Sequence, residues 1–215
     1  MATQNGSRAT PRQQAKRAQA RADRTQALVM EETLRCVHEE GFAAASTRRI
    51  VERAGVSWGV IQYHFGDREG LLAAVLDDGM TTLVDSLEAL IDEAADIKDG
   101  RARAELLTAG VWSVMSTPRC MATLEILIAT RSTRGTLQAS DLSDLQATMG
   151  RLSRLLGVGD TPRMAIANLL VSSAVGMMVT QLTSGITSQR KHERKAIADL
   201  ITDRLSSRRG RPARR

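Results

Sequence analysis

The stretch STRRIVERAGVSWGVIQYHF, residues 46–65, decides how this chain is read. Ser46 or Thr47 can cap a helix whose inner face is Ile50, Val51 and Ala54; Gly55 and Val56 supply a turn, and Ser57 can cap a second short helix. Two short helices joined by a tight glycine turn predict a helix-turn-helix unit. Aromatic residues make up only 2% of the chain, yet Trp58, Tyr63 and Phe65 fall within it, beside His64, one of three histidines. Helical spacing divides this patch by face. Ile61 and Phe65 share a side with Ile50 and Ala54 and are expected in the core, whereas Trp58 and Gln62 fall on a polar face where a core role is hard to assign.

Upstream, Val29, Met30, Thr33, Leu34 and Val37 mark one face of a helix that ends before Gly41, a residue suited to a left-handed cap. Phe42 is expected to fold back onto that face. Downstream, Asp67 can cap a longer helix that Leu71, Leu72, Val75 and Leu76 begin and that runs towards Ala95. Five further helical patterns follow, Ala104–Met115, Met121–Thr130, Leu142–Leu156, Met164–Leu182 and Ala196–Leu205, with breaks expected at Asp99-Gly100, Thr117-Pro118, 132–135, 157–162 and Gly185. Strand formers are sparse and proline is rare, so an all-α protein is expected. The organisation expected is a basic arm over residues 1–22, a DNA-binding domain over 23–70 with its helix-turn-helix at about 46–65, a larger helical domain over 71–206 and a basic tail over 207–215.

Charge is uneven along the chain. Residues 8–24 hold Arg8, Arg12, Lys16, Arg17, Arg21 and Arg24 against Asp23 alone, a net +5, and residues 203–215 are again +5, which leaves the body at −4 within a total of +6. An acidic body with basic ends suits a protein whose ends seek a polyanion, nucleic acid or anionic membrane, or whose ends only keep it soluble. Cys36 and Cys120 form no CxxC pair, so neither a zinc site nor a disulfide framework is signalled, and a cytoplasmic protein without a signal-peptide core is expected. Residues 164–189 carry no charge at all; Asn168, Ser172, Ser173, Thr180, Gln181 and Thr183 argue for a buried helix and against a membrane span.

With Gly41 closing one helix, Thr47 and Ile50 opening the next, Ala54-Gly55-Val56-Ser57 at the turn, and Tyr63-His64-Phe65 ahead of Arg68 and Leu71-Leu72, the stretch from Arg24 to Leu72 resembles the tetracycline-repressor (TetR) family of bacterial transcription regulators. The resemblance covers about a quarter of the chain; the remainder matches only in length and helical character. It implies an N-terminal three-helix DNA-binding domain followed by a larger helical domain for effector binding and dimerisation. In a helix-turn-helix the second helix enters the major groove and the first braces it. The base-facing residues are then Ser57, Trp58, Gly59 and Gln62; Thr47 and Arg48 begin the bracing helix; Tyr63, His64 and Arg68 are placed to donate to phosphates. Two positions depart from the family: Gln62 stands where a second aromatic is common, and Arg68 where a lysine is common. Arg68 keeps a phosphate donor, while Gln62 either reads an adenine edge or replaces a backbone contact.

The resemblance also implies a homodimer built by the last two long helices, where Ser172, Ala174 and Gly176 would permit close approach, and an apolar small-molecule effector enclosed by Trp112, Met115, Met121, Ile126 and Met149. A methionine stripe at helical spacing is also what an ordinary core shows. The tail tetrapeptide Arg209-Gly210-Arg211-Pro212 is similar to the centre of an AT-hook, which lies in a narrow minor groove. No enzyme is expected, and no cofactor: Asp77 and Asp78 are adjacent and therefore diverge on a helix, Gly157-Val158-Gly159 lacks a preceding strand, and His38, His64 and His192 have no metal-ligand spacing. The expectation is a ligand-responsive regulator, a repressor that binds a palindromic double-stranded DNA operator as a dimer and leaves it when an effector binds. A nonspecific DNA-binding protein using basic tails is the alternative.

Overall fold

A computed structural model describes residues 10–133, 139–156, 162–185 and 191–209. Among them every regular element is a helix: α1 (Pro11–Glu40), α2 (Thr47–Ala54), α3 (Trp58–Phe65), α4 (Arg68–Ala95), α5 (Gly100–Met115), α6 (Pro118–Ala129), α7 (Ala139–Leu155), α8 (Pro162–Ser184) and α9 (Lys191–Arg209). The all-α expectation is met. The chain packs as two compact units, Met1–Ala74 and Val75–Arg215.

In the first unit, Val29, Thr33, Leu34 and Val37 of α1 are buried as their spacing predicts, together with Cys36 and Glu32. They meet Ile50 and Ala54 of α2, Ile61 of α3 and Leu71 and Leu72 of α4, all buried. Burying a side chain of that size contributes about 1.5–3 kcal/mol. This core therefore holds two eight-residue helices that are too short to persist alone. Residues 11–21, read from the sequence as part of an arm, continue α1 as exposed helix. Proline fits the first helical position at Pro11, and the Thr10 amide donates to Gln13 Oε1 at 3.0 Å, which satisfies one end group.

In the second unit, α5 packs on α6, α8 and α9, and α7 packs on α8. Leu107, Val111 and Trp112 of α5, Leu152 of α7, Leu170 and Met178 of α8 and Ile201 of α9 belong to one apolar cluster. The dipeptides Asp99-Gly100 and Thr117-Pro118, expected as breaks, are helix starts. Asp99 Oδ2 accepts from the Ala102 amide at 2.9 Å, and Thr117 Oγ1 from the Cys120 amide at 3.3 Å. The chain thus turns and recommences after four residues in the first case, 96–99, and two in the second, 116–117. Polar links cross between helices: Arg119 pairs with Asp78, Arg151 with Glu88 and Asp92, and Arg101 with Asp199. A Cβ built on Gly79 would lie 2.5 Å from Thr123 Oγ1, so α4 and α6 come close there.

Both cysteines are free thiols, Cys36 buried in the first unit and Cys120 half-buried in the second. Burial raises both, Cys120 to about 11. No helix among the described residues is long and apolar enough to cross a membrane, and none of their side chains cluster as metal ligands.

Candidate nucleic-acid interface

The sequence between Ser46 and Gly66 builds its own boundaries. Ser46 Oγ accepts from the Arg49 amide at 3.3 Å and starts α2. Gly55 ends it at φ 63°, ψ 30°, a left-handed conformation that glycine adopts without a Cβ clash, and the Val56 amide returns to the Val51 carbonyl at 3.2 Å. Two residues later Ser57 begins α3, its carbonyl accepting from Val60 at 3.0 Å. The turn is thereby fixed by local hydrogen bonding, and α3 is seated by Ile61, which is fully buried.

Seating α3 through Ile61 turns the opposite arc outwards. Trp58 and Gln62 lie one turn apart, Gly59 and Tyr63 one turn apart beside them, and all four are exposed with Ser57 at the helix start. Trp58 keeps 43% of its surface in solvent and Tyr63 82%, in a chain with few aromatic residues to spare. Such exposure removes the core reading for both. His64 lies on the inner side, half-buried, its ring edge-on to Tyr63 at 4.9 Å and 6.1 Å from Phe65. Phe65 is likewise half-buried. Thr47 is half-buried and Arg48 exposed at the start of α2, with no ion pair to Arg48 among the described residues.

Arg68 has a different occupation from the one its position suggested. Its Nε and one terminal nitrogen donate to the Ala45 carbonyl at 3.2 and 3.1 Å, and its guanidinium lies 5.0 Å from the Phe42 ring centre. It ties the start of α4 to the 42–45 loop. Sequence reading also passed over the ion network behind the motif. Arg53 pairs with Glu32, Glu39 and Glu40, and Arg49 with Glu40 and Glu52. Hydrogen bonds from Arg49 hold the Glu40 carboxyl below its usual range, and those to Glu39 and Glu40 keep Arg53 firmly cationic. The signal was present: Glu32, Glu39 and Glu40 recur at seven- and eight-residue spacing on α1, and Arg49 and Arg53 at four on α2.

Elsewhere the expected residues divide. Trp112, Met115, Met121 and Met149 lie within the apolar cluster of the second unit, and Ile126 is fully buried. On α8, Ser172 and Gly176 are exposed, but Ala174 is fully buried in the cluster, because two residues along a helix is more than half a turn. Ala174 is therefore a core residue and not part of a dimer surface. Arg209 is the last residue of α9; Gly210, Arg211 and Pro212 lie outside the described residues.

Residues 29–75 match the domain profile described as bacterial regulatory proteins, tetR family. The chain is 40% identical over 57 residues to the HTH-type transcriptional regulator BetI 2 of Chromohalobacter salexigens, covering 26% of this chain and 28% of that protein. It is 36% identical over 82 residues to BetI of Yersinia pestis, covering 38% of this chain and 41% of the relative. The alignments thus span less than half of either relative. Among solved structures, a protein of Mesorhizobium loti assigned to the TetR-family transcriptional regulators matches with a TM-score of 0.68 at 14% identity, over 87% of this chain and 97% of that one. That likeness extends the shared fold beyond the matched domain.

Proposed function

From a chain whose N-terminal domain is that of the TetR-family transcriptional regulators, we propose a DNA-binding repressor that acts as a homodimer on a palindromic operator and leaves it when a small molecule binds the C-terminal unit. The observation that carries the reading is the outward arc of α3. A tryptophan, a glycine, a glutamine and a tyrosine are presented together on a helix whose other side is locked into the core. Gln62 can pair with an adenine edge through its amide and Trp58 can press on a thymine methyl, while Tyr63 and Arg48 donate to phosphates. Because Arg68 is engaged with Ala45, the phosphate role falls to Tyr63, Arg48 and Thr47.

Dimerisation is supported by α8. Leu169, Ser172, Gly176, Val179 and Thr183 recur at three- and four-residue spacing, and all are exposed. An apolar and small-residue stripe of this kind suits a second helix laid along it. Effector binding is supported by Thr108 of α5, which is 1% exposed and whose hydroxyl has no hydrogen-bond partner among the described residues. An orphaned hydroxyl in an apolar cluster costs about 1–3 kcal/mol. A largely apolar effector with one polar group can offset that cost.

Footprinting and fluorescence anisotropy on the DNA flanking the chain's own gene test the reading. The intact protein is expected to prefer one palindromic fragment over bulk DNA by about 10³-fold or more at fixed salt. Equal affinity for both leaves the nonspecific DNA-binding alternative in its place. Gln62→Ala is expected to reduce that preference by about 1–3 kcal/mol, and Tyr63→Ala to weaken binding on all sequences alike.

A further inference from the structure

We propose that the exposed N-terminal extension of α1 is a second DNA-binding element, a helical strut that holds the phosphate backbone through Arg17, Arg21 and Arg24. The proposal rests on the reading of this chain as a DNA-binding protein.

Residues 11–21 are each exposed, and the first buried residue of α1 is Val29. At a rise of about 1.5 Å per residue, Pro11 stands about 27 Å along the helix axis from Val29. A length so unsupported by packing needs another reason to be helical. The sequence supplies part of it, since Ala15, Ala18, Ala20 and Ala22 are interleaved with Lys, Arg and Gln, all strong helix formers. Packing of the later turns supplies the rest, because the extension grows from a formed helix and escapes the nucleation penalty.

On this helix Arg17, Arg21 and Arg24 fall at i, i+4 and i+7 and form one stripe. None has an ion-pair partner among the described residues. The nearest acid, Asp23, points to another face, where Gln19 Nε2 donates to it at 2.7 Å. Arg12 and Lys16 add charge beside that face. Three unpaired guanidiniums along a projecting helix repel one another unless a polyanion lies against them. A duplex is the partner that charge complementarity selects within a helix-turn-helix domain, and about 27 Å approaches the length of one duplex turn, about 34 Å. Contacts of this kind carry no base sequence; they raise affinity on every duplex and bring more phosphates under the protein.

The test compares the intact chain with R17Q/R21Q/R24Q and R17K/R21K/R24K on bulk duplex DNA and on a footprinted operator fragment, measuring affinity across salt concentrations. The glutamine variant is expected to lower the slope of log K against log salt by about 2.7 per bound protomer, at about 0.9 per lost phosphate contact, and the lysine variant to retain it. The ratio of operator to bulk affinity is expected to stay unchanged. An unchanged slope in the glutamine variant overturns the proposal, whether the stripe then proves to hold an anionic vesicle or a second copy in parallel vesicle and sedimentation runs. A slope lost equally in the lysine variant overturns the backbone reading. If the intact chain shows no operator preference but the glutamine variant still loses slope on bulk DNA, the regulator reading fails and the strut stands.

Discussion

Gly59 is a glycine that its own fold does not require. It sits inside α3, where glycine costs about 1 kcal/mol relative to alanine, and a Cβ built there would meet only Ser57 Oγ at 3.7 Å, an ordinary contact. Among the described residues nothing else comes within 4 Å of that position. On the proposed reading, close approach of the α3 backbone to a duplex gives the glycine its purpose. Gly59→Ala is therefore expected to raise stability by about 0.5–1 kcal/mol in thermal or urea unfolding while weakening operator binding about tenfold or more. If binding is unaffected, Gly59 does not face DNA. At this scale the outward residues were legible, because Trp58 and Gln62 are one helical turn apart on a polar face while Ile61 faces the core. Arg68 was not, since its partner is a backbone carbonyl 23 positions away, and carbonyls leave no mark in a sequence.

The elements themselves were legible wherever a cap residue precedes an apolar period. Ser46 and Gly55 bound α2 in the structure as they do on paper, whereas Ser57 stands at the start of α3 without a side-chain cap bond. The breaks expected at Asp99-Gly100 and Thr117-Pro118 fall between helices, and there the partner amide shows that each dipeptide starts the helix that follows. Helix-to-helix distance was not legible at all. Gly79 lets α4 approach α6, where Thr123 is immobile because its Oγ1 donates to the Arg119 carbonyl at 2.8 Å. A threonine so held cannot turn aside. Gly79→Ala is expected to destabilise by about 1–3 kcal/mol, and Thr123→Ala to recover part of that loss in the double variant. A chemical-denaturation cycle with additive effects would show that the two helices yield instead of clashing.

For the whole molecule, the oligomeric state is the quantity that the exposed α8 stripe governs on the proposed reading. The sequence singled out this helix through its uncharged length but mixed Ala174 with Ser172 and Gly176, because composition does not resolve the angle around a helix. The exposed stripe runs instead through Leu169, Ser172, Gly176 and Val179. A Cβ at Gly176 would meet nothing within 4 Å among the described residues, so a charge can be introduced there without disturbing the fold. Leu169→Glu with Gly176→Glu is expected to convert a dimer to a monomer in analytical ultracentrifugation and to lower operator affinity by about 10²-fold or more, through loss of the second half-site. A variant that still sediments as a dimer moves the interface elsewhere.

Each of the two compact units holds one of the two thiols, Cys36 behind the helix-turn-helix and Cys120 at the start of α6. A thiol kept protonated by burial reacts with an alkylating reagent chiefly when its surroundings open. The chain therefore contains a separate clock for each unit: single-cysteine versions, labelled under native conditions with and without DNA, time the opening of the reading head and of the body independently. Neither dye nor tag has to be designed into the protein to tell which half a bound molecule has quietened.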